Sequence, residues 1–196
     1  MARSVTRRAS CDMADDLNTI DEADTEEAPH RVLPENATIA ALVEPFDSAV
    51  VVERSYASSE ITYFTISIPV AEWVAFAEAA KANGFDAFSD LFAIDHFTEA
   101  PRFEVVLNLI SMTTRERIVV STRVPYDDPS VPTLTEVFVG ANFYEREAYD
   151  LMGIDFPGHP DLTRILMPDE WVGHPLRKDF DIGAVPVEFK AGSANL

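Results

Sequence analysis

Cysteine is almost missing from these 196 residues. The single thiol, Cys11, has no partner for a disulfide within the chain, which fits a reducing compartment. An iron–sulfur cluster normally takes four thiolates, so this chain alone cannot build one. Glycine is scarce too, at 7 residues. No G-x-G-x-x-G, P-loop or G-x-S-x-G elbow can be read, which leaves nucleotide, flavin and elbow-serine chemistry without a motif. Bases are outnumbered, 15 against 34 acids, for a net charge of −19. Nucleic acid is excluded as a partner, because binding phosphates takes clustered Lys and Arg, and only Arg7-Arg8 and Arg177-Lys178 cluster here. No run approaches the ~18–20 apolar residues that span a bilayer, so membrane association is expected through partners only.

What remains is the composition of an ordinary globule, 47% hydrophobic and 25% charged. The length suits one domain that buries about 70% of its unfolded surface. Residues 1–37 read as a disordered acidic tail: the first 29 hold 8 acids and 3 bases. Arg3, Arg7 and Arg8 hint at a transit peptide, but Asp12, Asp15 and Asp16 follow too soon, and there is no apolar h-region for a secretory signal.

Residues 38–153 read as the domain proper. Ala49–Tyr56 and Ile61–Ile68 are rich in β-branched and aromatic residues and predict a hairpin across a turn at Ala57–Glu60. Val70–Asn83 predicts a helix with Trp73, Phe76, Ala77 and Ala80 on one face and Gly84 as its stop. Asp90–His96, Phe103–Met112 and Arg117–Val124 predict three more strands. A second helix is expected from Pro132-Thr133, with Leu134, Val137, Ala141, Tyr144, Ala148 and Leu151 on one face, up to Gly153. The order implies an α+β, two-layer domain with a mixed, mainly antiparallel sheet packed by helices.

The densest chemistry lies between Asn142 and Phe180. Glu145, Arg146, Glu147 and Asp150 mark a charged helix face, which by itself is ordinarily a solvated one. Arg146 and Asp150 are four apart and could pair. Beyond Gly153 the prolines at 157, 160, 168 and 175 stiffen the backbone and hold His159 and His174 on extended chain. Such a segment, 154–196, is expected to be an extended arm that lies along another protein rather than folding on itself. His159, Asp161, His174 and Asp179 carry metal-type donors, but no His-Glu-x-x-His or His-x-His spacing occurs. Both histidines therefore read as structural, bonded to nearby backbone or Asp. Trp171, between Asp169-Glu170 and Gly173, reads as an interface anchor. A weakly alternating stretch at 181–190 could add as a strand.

These residues also carry a resemblance. Glu145-Arg146-Glu147, Asp150, Gly153-Ile154, Gly158-His159-Pro160-Asp161-Leu162, Arg164-Ile165-Leu166 and Gly173-His174-Pro175-Leu176-Arg177-Lys178-Asp179-Phe180 resemble the signature of one family. It is the thirty-kilodalton subunit of proton-pumping NADH:quinone oxidoreductase (respiratory complex I). Two positions depart from its pattern: Phe143 stands where Trp is usual, and Thr163 where a basic residue is common. The resemblance implies a non-catalytic structural component of the peripheral arm, with no cofactor or metal of its own. FMN, iron–sulfur clusters and quinone would belong to partner subunits. The chain would dock on the large quinone-site subunit and on neighbouring iron–sulfur subunits in a hetero-oligomer. It would lie peripherally on the cytoplasmic face of a bacterial inner membrane.

Under that implication the partner-binding residues are Glu145, Arg146, Glu147, Asp150, His159, Asp161, Arg164, Trp171, His174, Arg177, Lys178 and Asp179. Leu162, Ile165, Leu166 and Phe180 would add apolar contact. Two other readings are a related membrane-bound hydrogenase or quinone reductase, and a stand-alone hydrolase using the histidines and carboxylates.

Overall fold

The computed structural model describes residues 34–55 and 62–181. The expected tail up to residue 33, the turn at Ala57–Glu60 and the strand-like stretch from residue 182 lie outside them. In chain order the elements are α1 (Ala37–Val43), β1 (Val50–Ser55), β2 (Thr62–Ser67), a 3-10 turn (Val70–Glu72) leading into α2 (Trp73–Ala82), β3 (Ala87–Asp95), β4 (Phe103–Ile110), β5 (Arg117–Val124) and α3 (Ala141–Met152).

The five strands form one sheet in the order β1-β2-β5-β4-β3. Only the β2–β5 pair is parallel; the other three are antiparallel. The fold is thus the expected α+β arrangement with a mixed, mainly antiparallel sheet. The register lines up Val51, Ile66, Val120, Leu107 and Leu91 in one row across all five strands. Because side chains alternate, this row shares one face, and it packs into a single core with Trp73, Phe76, Ala77 and Ala80 of α2. Trp73 and Phe76 are 1% and 0% exposed, and burying such a side chain contributes about 1.5–3 kcal/mol.

α1 was not legible as a helix. Asn36 caps it by accepting hydrogen bonds from the amides of Thr38 and Ile39, which offsets the weak propensity of seven residues. β3 starts three residues ahead of its expected position.

α3 starts later than expected. Leu134 accepts from the amides of Val137 and Phe138 in one isolated turn, and the continuous helix begins at Ala141 after Gly140. Thr133 does not cap it: its hydroxyl accepts from the Thr135 amide in the preceding turn and donates to Glu145. Segments 129–133 and 155–157 run side by side: Val131 donates to Asp155, Asp155 to Pro129 and Thr133 to Pro157. The chain that leads towards α3 and the chain that leaves it are thereby paired.

Candidate interaction site

α3 carries two carboxylates that are both 0% exposed, Glu145 and Asp150. The reading of this charge run as a solvated face is corrected: the face bearing Glu145 and Asp150 is interior. Glu145 accepts from the Thr133 hydroxyl at 2.5 Å and the Leu134 amide at 2.7 Å, with no cation in contact among the described residues. Burial pushes its carboxyl up to about 7, with the two donors pulling the other way.

Asp150 anchors the arm. Its Oδ2 accepts from the amides of Ile165, Leu166 and Met167 at 3.1, 2.8 and 2.8 Å. Arg164 Nη1 donates to its Oδ1 at 2.6 Å. Burial raises the carboxyl, but the Met167 and Leu166 amides, Arg164 and the Ile165 amide outweigh it and hold it below its ordinary value. Asp150 therefore pairs with Arg164, not with Arg146 four residues away. Arg146 instead reaches Thr163 through its carbonyl and hydroxyl, at 3.1 and 2.9 Å, and the Arg164 carbonyl. Thr163 supplies acceptors where a cation would face Arg146.

α3 ends at Gly153, whose φ of 70° is left-handed and whose missing Cβ matters equally. A Cβ there would fall 2.5 Å from both Arg177 Nη2 and His174 Nε2. Arg177 uses the space to donate to the carbonyls of Met152 and Gly153. His174 donates from Nδ1 to the Asp150 carbonyl at 3.0 Å; burial pushes its imidazole below its ordinary value. At the helix's other end His159 donates from Nε2 to the Asn142 carbonyl, while its Nδ1 accepts from the Asp161 amide. These anchor points are eight residues apart, about 12 Å along a helix. The histidines do not converge on a common ligand. Each bonds to backbone.

A second clamp was not legible in the sequence. Arg102, in the β3–β4 connection, donates to both oxygens of Asp95 at 2.8 and 2.7 Å and to both oxygens of Asp179 at 3.0 and 2.8 Å. Asp95 also accepts from the Lys178 amide at 2.8 Å. Arg102 holds both carboxyls below their ordinary values. Arg102 and Arg177 each lie 4.8–5.6 Å from the ring centres of Phe103 and Tyr126. Trp171 stacks on Phe180 at 6.4 Å, within the arm itself.

The expectation that the arm would not fold on itself is therefore corrected. Its irregular backbone finds hydrogen bonds on α3, at the end of β3 and within its own turns. Of the residues singled out, Glu145 and Asp150 are buried, Arg146, Arg164, Arg177 and Asp179 are paired within the chain, and Glu147, Asp161 and Lys178 are exposed. Among the described residues no group of three or more His, Cys, Asp or Glu is arranged to hold a metal, and no helix is long and apolar enough to cross a membrane.

The fold places the chain in a class of small α+β domains, one of which has been solved within an archaeal respiratory membrane complex. One solved structure with this fold is the trypsin-resistant fragment (1-134) of Nqo5, at TM-score 0.56 and 30% identity, covering 64% of this chain and 99% of that one. Another is in the membrane-bound sulfane sulfur reductase, an archaeal respiratory membrane complex, at TM-score 0.64 and 26% identity, covering 74% and 84%. Residues 66–185 match the family described as "Respiratory-chain NADH dehydrogenase, 30 Kd subunit", and the chain belongs to that family.

Among curated relatives, the NADH-quinone oxidoreductase C subunit of Roseiflexus sp. (strain RS-1) is 51% identical over 105 residues, 54% of this chain and 60% of the relative. Its counterpart of the same name in Saccharopolyspora erythraea is 42% identical over 132 residues, 67% and 53%. NADH-quinone oxidoreductase subunit 5 of Thermus thermophilus is 44% identical over 121 residues, 57% and 58%. The matched region spans about half to three fifths of these relatives.

Proposed function

We propose that the chain is a structural subunit of the peripheral arm of a proton-translocating NADH:quinone oxidoreductase. In this reading residues 38–153 form the body and residues 154–196 the partner-binding arm. The body and arm dock on the large quinone-site subunit, and electrons pass through FMN and iron–sulfur clusters held by neighbouring subunits. The chain itself contributes no catalytic group. It lies on the cytoplasmic face of a bacterial inner membrane, held there by its partners.

The observation that carries this reading is the family match through the whole described arm, joined to the arm's surface. Its guanidiniums Arg164 and Arg177 are turned inward onto α3, while Leu166, Val172 and Leu176 remain 61%, 88% and 54% exposed. Apolar side chains on a rigid strap offer contact area at little ordering cost. The likeness to the archaeal sulfane sulfur reductase favours one second reading, an equivalent subunit in a related respiratory complex with another electron donor.

Affinity isolation of the tagged chain from detergent-solubilised membranes tests both. Recovery with iron–sulfur proteins and NADH:quinone reductase activity is the expected result. A large complex without that activity selects the second reading. A chain recovered alone overturns both.

A further inference from the structure

Building on the docking reading, we infer that the arm's outward surface is an apolar patch with an acidic rim, and that its occupant is a protein surface with an apolar centre bordered by Lys and Arg. Three of the four cations on α3 and the described arm are engaged internally. Arg146 binds Thr163 and the Arg164 carbonyl, Arg164 binds Asp150, and Arg177 binds the carbonyls that end α3. Three acids of the arm are disposed oppositely. Asp161, Asp169 and Glu170 are exposed, and among the described residues their carboxylates have no hydrogen bond or ion pair.

The segments that carry the exposed apolar residues are all tied to the C-terminal part of α3. The amides of Ile165 and Leu166 bind the Asp150 carboxylate, Arg164 ties Gly173 to the same point, and the Leu176 amide binds the Leu151 carbonyl. Val172 stands beside Gly173 and is 88% exposed. Charge complementarity selects the occupant. A second copy of this face, or an anionic bilayer, would meet the acidic rim with like charge in a chain of net charge −19. A polar rim around an apolar centre is the anatomy of a protein–protein interface.

The test uses the assembly isolated from membranes. Coupling carboxylates to amines with a zero-length carbodiimide, then mapping the links, is expected to join Asp169 or Glu170 to lysines of another polypeptide. The double variant Asp169→Lys with Glu170→Lys is expected to lower partner recovery several-fold at low salt. That deficit should shrink as salt shortens the Debye length to about 3 Å at 1 M. Leu166→Asp is expected to lower recovery at every salt concentration. An unchanged melting temperature of each purified variant chain separates docking from folding. Links confined to this chain, or full recovery of the double variant at low salt, overturn the inference while leaving the docking reading intact. A wild-type chain recovered without partners overturns both.

Discussion

Two carboxylates on one helix, five residues apart and equally buried, have opposite chemistry. Among the described residues Glu145 meets one hydroxyl and one amide and no cation. Asp150 meets a guanidinium and three amides. Burial dominates at the first and lifts its carboxyl; the donors dominate at the second and depress it. The difference teaches that burial does not decide charge. The number and sign of the donors do. Glu145 latches the 133–134 turn to α3 in a form that tolerates a proton, whereas Asp150 holds the arm only as an anion.

The largest expected effect breaks that pairing. Asp150→Asn should destabilise the chain by roughly 3–5 kcal/mol in urea unfolding, because Arg164 is left largely buried without its counter-charge. Glu145→Gln should cost at most about 1 kcal/mol at neutral pH, since the amide oxygen still accepts a hydrogen bond. Equal losses for the two would show that the environments are not opposed.

Arg102→Met comes next, at about 2 kcal/mol, because it strands Asp95 at the root of the second clamp. Limited proteolysis should then cut near residues 175–181 before the body opens. Simultaneous loss of arm and body would show that the clamp belongs to the core.

The pH profile sharpens the comparison further. The folded value of Glu145, about 7, lies above its ordinary 4.5, so its contribution is complete below 4.5 and is lost as pH rises through 7. Asp95, Asp150 and Asp179 are depressed from 3.8, so their contributions hold above that value and are lost as pH falls below it. The stability of the wild type relative to Glu145→Gln should therefore fall between pH 5 and 7 and level off above it, the opposing rise from the depressed His174 being common to both chains. An unchanged slope in the variant would remove Glu145 as its source.

The smallest effect is expected for Arg146→Ala. Its hydrogen bonds to Thr163 and the Arg164 carbonyl are partly exposed, and their loss should cost about 0.5–1 kcal/mol. Assembly yield should fall more than the melting temperature, because the segment that presents Ile165 and Leu166 loosens. The reverse ordering would make Arg146 a folding residue only.

Much of the body was legible beforehand. Val, Ile, Thr and Phe in short runs marked four strands closely, because period-two burial leaves a local signature. α2 was legible through Trp73, Phe76, Ala77 and Ala80. α1 was missed because seven residues give too little periodicity and its support comes from the Asn36 cap. The start of α3 was misplaced because Leu134 and Val137 fit a helical face while belonging to a separate turn. In the arm, the two histidines of the Gly-His-Pro triplets bond to backbone, as expected of structural residues. Their surroundings gave no sign that the domain itself would bind the strap.

By itself the sequence determined where strands alternate, where Gly153 must turn, that no cluster of thiolates exists, and which family signature the 145–180 stretch carries. Those are local properties, written within a few residues of one another. Only the tertiary structure decided which charges are inside and what they face. Asp150 finds Arg164 across 14 residues, Arg102 finds Asp179 across 77, and Asp95 finds the Lys178 amide across 83. The strength of a charge pair depends on distance and on exclusion of water, and both are set by how distant segments pack. No spacing rule in the chain encodes them.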